Sequence, residues 1–122
     1  MYRNQVIGKN GEDIARTYFR SLGYKIIQSN FRCRQGEIDI IARDMSTNEL
    51  VFTEVKTRTN KNYGEPIEAV HKKKQKHIVS ATKYYTYKNN LLNQFIRFDV
   101  VEILLKDKVY LKHTRNCELC EL

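Results

Sequence analysis

The sequence predicts an α/β domain: a mixed β-sheet flanked by helices, in the order helix, three strands, helix, two strands. Three observations carry this. Two stretches repeat their apolar residues at the helical period, and five shorter runs concentrate Ile, Val, Phe and Tyr. Between them lie short polar turns, with no repeat, low-complexity tract or linker to divide the 122 residues. That length suits one domain with one hydrophobic core, its body spanning about residues 6–113 and a tail following over 114–122.

Each element has its own signal. From Val6 to Leu22 the stripe Ile7, Gly11, Ile14, Ala15, Tyr18 and Leu22 marks a helix, and Gly23 supplies its stop. Tyr24 to Gln28 reads as the first strand, Gly36 to Arg43 as the second and Glu49 to Thr57 as the third. The polar turn from Asp44 to Asn48 is short enough to make the last two an antiparallel hairpin. Pro66 suits the first turn of a second helix running to about Lys88, with the stripe Ile67, Val70, Lys74, Ile78, Ala81 and Tyr85. Phe95 to Leu104 and Lys108 to His113 close the chain as two strands around Lys106-Asp107.

Composition narrows the function. Lys and Arg number 22 against 14 Asp and Glu, a formal net charge of +8. Such an excess favours a polyanionic partner, nucleic acid first, although cationic charge also serves solubility. No apolar run is long enough to cross a bilayer, no basic amphipathic helix stands out for a membrane surface, and the N-terminus lacks the apolar core of a signal peptide. A cytoplasmic location is therefore expected.

The chemistry concentrates where two apolar strands accept charge. Gly36-Glu37-Ile38-Asp39-Ile40-Ile41 and Phe52-Thr53-Glu54-Val55-Lys56 both place ionisable groups where hydrocarbon should be buried. A carboxylate removed from water costs several kcal/mol unless it is paired or holds a cation. Strand alternation puts Glu54 and Lys56 on one face, and Glu37, Asp39 and Ile41 on one face of their own strand. With Asp39 opposite or diagonal to Glu54, two carboxylates could share one hard cation such as Mg²⁺ or Mn²⁺, which keeps several waters. Lys56 would stand beside it to polarise water or neutralise a phosphate oxygen. Glu12, at the edge of the first helical stripe, is a candidate third carboxylate. The plainer alternative is a cross-strand Asp39–Lys56 ion pair.

Taken together, Gly8…Gly11-Glu12, Gly36-Glu37-Ile38-Asp39, Phe52 to Arg58 and Arg97-Phe98-Asp99-Val100-Val101 resemble the YraN-like family, within the PD-(D/E)xK nuclease superfamily. The resemblance covers roughly residues 6–104. It implies a restriction-endonuclease-like core, similar to archaeal Holliday-junction resolvases, and Mg²⁺- or Mn²⁺-dependent phosphodiester hydrolysis. By the same resemblance Asp39 and Glu54 are metal ligands, Lys56 is the catalytic lysine and Glu12 is the helix-borne acid. Ile38 stands where the superfamily often has proline. The expected substrate is DNA, branched or otherwise structured, and cutting both strands of a junction would call for a two-fold dimer. The competing class is a nucleic-acid-binding protein of the same fold with weak or no cleavage. A protein-interaction factor in DNA uptake or repair is a third reading.

A basic rim is expected around the carboxylates. Arg32 and Arg34 precede the strand carrying Asp39, and Arg58 follows Lys56. Lys72, Lys73 and Lys76 form a phosphate-binding run on the second helix. Lys74, interrupting the apolar stripe, either snorkels past the sheet edge or, with Gln75 matching a Lys-Gln pair near the site in the resembled family, touches phosphate. Asp99 is expected to pair with Arg97 or cap a loop, and Tyr85 to join the core while Tyr84 and Tyr87 stay half-exposed. His71, His77 and His113 show no catalytic partner in sequence. His113, Cys117 and Cys120 have the spacing of an incomplete zinc site, but an exposed, frayed tail is the expected reading.

Overall fold

The computed structural model describes residues 2–59 and 72–118, with side chains from Gly11 to Thr59 and from Lys73 to Glu118. Helix α1 spans Tyr2–Ser21, and strands β1 (Lys25–Cys33), β2 (Gly36–Asp44) and β3 (Glu49–Arg58) follow. Helix α2 (Lys72–Lys88) then leads to β4 (Ile96–Leu105) and β5 (Val109–Thr114). The strands form one sheet in sequence order. Every neighbouring pair is antiparallel except β3 and β4, which run parallel because α2 intervenes. This is the mixed α/β arrangement expected, in the expected order. The start of the second helix near Pro66, with Ile67, Val70 and His71, lies outside the described residues.

The two helices bury separate apolar faces. Ala15 and Phe19 of α1 pack with Tyr24, Ile40, Ala42, Val51, Val101 and Ile103. Ile78, Ala81 and Tyr85 of α2 pack with Ile38, Ile41, Leu50, Phe52, Phe98 and Val100. Each stripe thus covers one side of the sheet, and removal of that surface from water drives the assembly. Tyr85 is buried, as expected, and meets Phe31 and Phe52 edge-on, while Tyr87, expected half-exposed, is largely exposed. Helix α1 ends where predicted: Gly23 takes a left-handed φ of 84°, and its amide and that of Tyr24 bond back to Arg20 and Phe19 carbonyls.

Three expectations need correcting. The first strand does not stop at Gln28 but runs to Cys33, because Phe31 and Cys33 still pack against the α2-side core. The polar residues Ser29, Asn30 and Arg32 hid this continuation. Second, β2 does not alternate regularly. Ile38 and Ile41 face α2, whereas Ile40 and Ala42 face α1, so the alternation breaks at Asp39. Glu37, Asp39 and Ile41 therefore do not share a face. Third, the chain after β5 is not frayed as far as Cys117: its amide bonds the Phe98 carbonyl at 2.7 Å, and its side chain packs on the α2-side core.

Two glycines set how closely the layers approach. A Cβ at Gly11 would collide with the Thr57 side chain, so α1 crosses β3 directly beside Lys56. A Cβ at Gly36 would lie 2.7 Å from the His77 carbonyl oxygen, so the start of β2 rests on the backbone of α2.

Candidate functional site

The break at Asp39 creates the site. The β2–β3 ladder runs from Asp44–Glu49 to Ile40–Thr53. Beyond it the strands part: β2 continues on β1 to Gly36, and β3 continues on β4 to Arg58. At the fork the Asp39 carboxylate replaces the lost ladder bond, accepting the Val55 amide proton at 2.7 Å. The residue across from it on β1 is Asn30, flanked by the pairs Ser29–Ile40 and Phe31–Ile38. Asn30 holds a left-handed φ of 54° within a strand, a conformation asparagine tolerates better than most residues.

Asp39 and Glu54 come together here. Burial, and then the charge of Glu54, push the Asp39 carboxyl up to about 7, against the Val55 bond and the charge of Lys74. Glu54 is buried, and its carboxylate accepts an ion pair from Lys74 Nζ at 2.6 Å. Lys74 remains firmly protonated: burial opposes its charge, but the bond and charge of Glu54, with Asp39 and Glu37, outweigh it. Lys74 is thus neither snorkelling away from the site nor free on the surface.

Glu12 reaches the fork from the opposite face of the sheet. Burial and the nearby Asp39 charge raise its proton affinity, while Asn30 and Arg16 favour its ionised form. It is 3.9 Å from Arg16, which also pairs with Asp13. Glu12 thus neighbours Asp39, and Asp39 neighbours Glu54, but among the described residues no three acidic, His or Cys side chains are close enough to form a ready-made metal cage. Two adjacent, mutually repelling carboxylates still suit Mg²⁺, which is commonly held by one or two carboxylates and completes its shell with water.

Lys56 follows Glu54 on the face that carries Leu50 and Phe52, and sits in parallel register beside the fully buried Glu102. No ion pair joins it to Asp39 among the described residues, so the plainer reading of the two strands does not hold. Arg58 turns toward Glu102 at 4.0 Å, and Arg32 pairs with Glu37 at 3.3 Å. Arg34, Lys73 and Lys76 are exposed, whereas Gln75 is buried. The basic residues therefore do not all converge as a rim; several are spent on local carboxylates. The side chain of Lys72 lies outside the described set.

The model of the family described as "Uncharacterised protein family UPF0102" matches residues 11–103, a span that includes Glu12, Asp39, Glu54, Lys56 and Lys74. The chain belongs to the UPF0102 family. A UPF0102 protein of Clostridioides difficile (strain 630) is 47% identical over 105 residues, covering 86% of this chain and 90% of its own. One from Clostridium botulinum (strain 657) is 48% identical over 105 residues, covering 85% and 84%. The YraN-like resemblance read from the motifs is thereby borne out.

Sequence reasoning missed two features of this UPF0102 chain. Asn30 was not singled out, although an asparagine between Ile26-Ile27 and Phe31 is a cue for a left-handed kink. The second is a buried polar network centred on Arg97 and Asp99 of β4. Arg97 bonds Asp44 at 2.8 Å, Glu49 at 2.9 Å and Asp99 at 3.1 Å, and also the Tyr24 hydroxyl. Asp99 pairs in turn with His113 Nε2 at 2.8 Å and accepts the Asn116 amide. Against the effect of burial, these bonds hold Asp99 below the usual carboxylate range. The Asp99–Arg97 pair was expected, but His113, at the end of the last expected strand, showed no partner in sequence. Its other ring nitrogen lies 2.9 Å from the Tyr18 hydroxyl, so both nitrogens are engaged inside the protein. Cys120 lies outside the described residues.

Proposed function

We propose that this chain is a metal-dependent DNA endonuclease hydrolysing phosphodiester bonds, with branched or structured DNA as its substrate. The observation carrying this reading is the pair Asp39 and Glu54, held side by side at a strand fork with Lys56 two residues on. A binding surface alone gains nothing from burying two like charges together. Supporting it are the net charge of +8 and the PD-(D/E)xK-like motif order.

In this reading Asp39 and Glu54 would hold Mg²⁺ or Mn²⁺, with Glu12 as the further acidic side chain near Asp39. Bound there, the cation supplies Lewis acidity at the phosphate. The Val55 amide fixes the Asp39 carboxylate, so it needs little reorganisation to serve. Lys56 places a point charge where negative charge builds on the phosphoryl oxygens. A water oxygen bonds to phosphorus, one P–O ester bond breaks, and the departing oxygen takes a proton. Exposed Lys73, Lys76 and Arg34 bind backbone phosphates without reading bases. A homodimer would present two such sites to a junction.

The second reading, a nucleic-acid-binding protein with little cleavage, is favoured by the Lys74–Glu54 ion pair, which already neutralises one carboxylate. Nicking of supercoiled plasmid and of a four-way junction separates the two. Cleavage with Mg²⁺ or Mn²⁺, lost in EDTA and in Glu54→Ala, supports the nuclease. Tight DNA binding with no metal-dependent nicking supports the binder.

A further inference from the structure

Lys74 has the position of a cation that the site already contains. Its ammonium is 2.6 Å from Glu54 Oε2, and the Glu54 side chain is only 4% exposed. The Lys74 side chain, at 39% exposed, reaches the carboxylate from the solvent side. Among the described residues it is the one cation within ion-pair distance of Glu54, since Arg32 is taken by Glu37 and Arg58 by Glu102. Beside it a groove of about 470 Å³ opens between the start of β2 and α2, lined by Glu37, Lys73, Lys74, His77 and Ile78. Lysine is a compact charge on a flexible four-carbon stem, so its ammonium can swing from the carboxylate into this groove.

We infer that Lys74 is the resident counter-ion of the site and exchanges from Glu54 to a substrate phosphate in the groove, so that metal and nucleic acid load together. This rests on the nuclease reading and adds to it a coupling between the two ligands. An ammonium and a divalent cation cannot both sit on one buried carboxylate without mutual repulsion. Without DNA, Lys74 holds Glu54 and weakens metal binding. A phosphate in the groove draws Lys74 away, leaving Glu54 beside Asp39 with its charge uncompensated and receptive to the metal. By linkage, metal bound first frees Lys74 for phosphate and strengthens DNA binding by the same factor. Lys74 is thus a positioning residue.

The test measures Mn²⁺ affinity of the full chain without DNA, by the electron paramagnetic resonance of free Mn²⁺, for wild type, Lys74→Met and Lys74→Arg. Asp39→Asn and Glu54→Gln are controls, and Lys74→Gln replaces Lys74→Met if circular dichroism shows the latter unfolded. Lys74→Met should bind Mn²⁺ about tenfold tighter than wild type, within the usual range of coupling between sites. Lys74→Arg should behave as wild type. In parallel, anisotropy of a labelled duplex in Ca²⁺ against EDTA should show a Ca²⁺-dependent gain in wild type that disappears in Lys74→Met. Unchanged or weaker Mn²⁺ binding in Lys74→Met overturns the exchange while the metal site stands, provided the two carboxylate variants lose the ion. If those variants keep it, or no protein binds it, the metal reading falls and the exchange with it.

Discussion

At the level of single residues, the half-buried Asp39 and the buried Asp99 are carboxylates shifted in opposite directions. The folded Asp39 carboxyl titrates at about 7, above its ordinary 3.8. Between those values the folded protein keeps a proton that the unfolded chain has released. Stability from this group therefore falls as pH rises from about 4 to 7, and stays reduced above. Asp39→Asn should accordingly raise the melting temperature in EDTA at pH 8 and leave it nearly unchanged at pH 4. An equal effect at both pH values would contradict the assignment of the charge penalty to Asp39. Asp99 and Asp44 are the reverse: their bonds to Arg97, His113 and Ser46 hold both below the usual range. Their contribution is present above about pH 4 and is lost as pH falls through their depressed values. Arg97→Met leaves Asp44 and Asp99 buried without their cation and should cost about 3–5 kcal/mol in urea unfolding at pH 7. Cleavage per folded molecule should be retained, since the bonds of this network go to none of Asp39, Glu54 and Lys56. For Lys56→Ala the expectation inverts: nicking is lost, while stability and DNA affinity barely change.

At the level of elements, α1 is placed by contact and not by propensity. Glycine inside a helix costs about 1 kcal/mol relative to alanine, yet Gly11 sits where a Cβ would strike Thr57. Gly11→Ala should therefore destabilise by about 1–3 kcal/mol despite better helix propensity, as overpacking does, and should shift Glu12 away from the fork. Chemical denaturation reads the first effect; a stabilised variant would show that the helix moves freely. The same elements show what the sequence made legible. Helical stripes and strand runs gave the order of elements, because period and turn chemistry are local signals. The carboxylates of Asp39 and Glu54 stood out because charge in an apolar strand is a local anomaly. The extension of β1 to Cys33 and the broken alternation at Asp39 were hidden, since both depend on pairing with a neighbouring strand. The His113–Asp99 contact joins residues 14 apart across β4 and β5, and the Lys74–Glu54 pair joins a helix to a strand 20 residues away. Neither spacing carries a sequence signature.

At the level of the whole molecule, the charge of +8 is unevenly available. Arg58 and Arg97 are committed to internal partners, Arg32 to the surface carboxylate of Glu37, and Lys74 to Glu54 until a phosphate draws it away, so the first phosphate contacts fall to exposed groups such as Arg34, Lys73 and Lys76. DNA affinity should fall with salt and differ little between unrelated sequences. Replacing Lys73 and Lys76 together should flatten the log–log salt slope by up to about two units. A sequence preference that survives this change would contradict backbone recognition. The central claim is that the fork between β2 and β3 gathers Asp39 and Glu54 into one cation site. Crystals of the DNA complex soaked in Mn²⁺, with anomalous scattering recorded at the manganese edge, test it most directly. The account predicts one strong peak roughly 2 Å from an oxygen of each carboxylate, with Lys74 turned away. A peak elsewhere, or none beside a Lys74–Glu54 pair that stays closed with DNA bound, would contradict it.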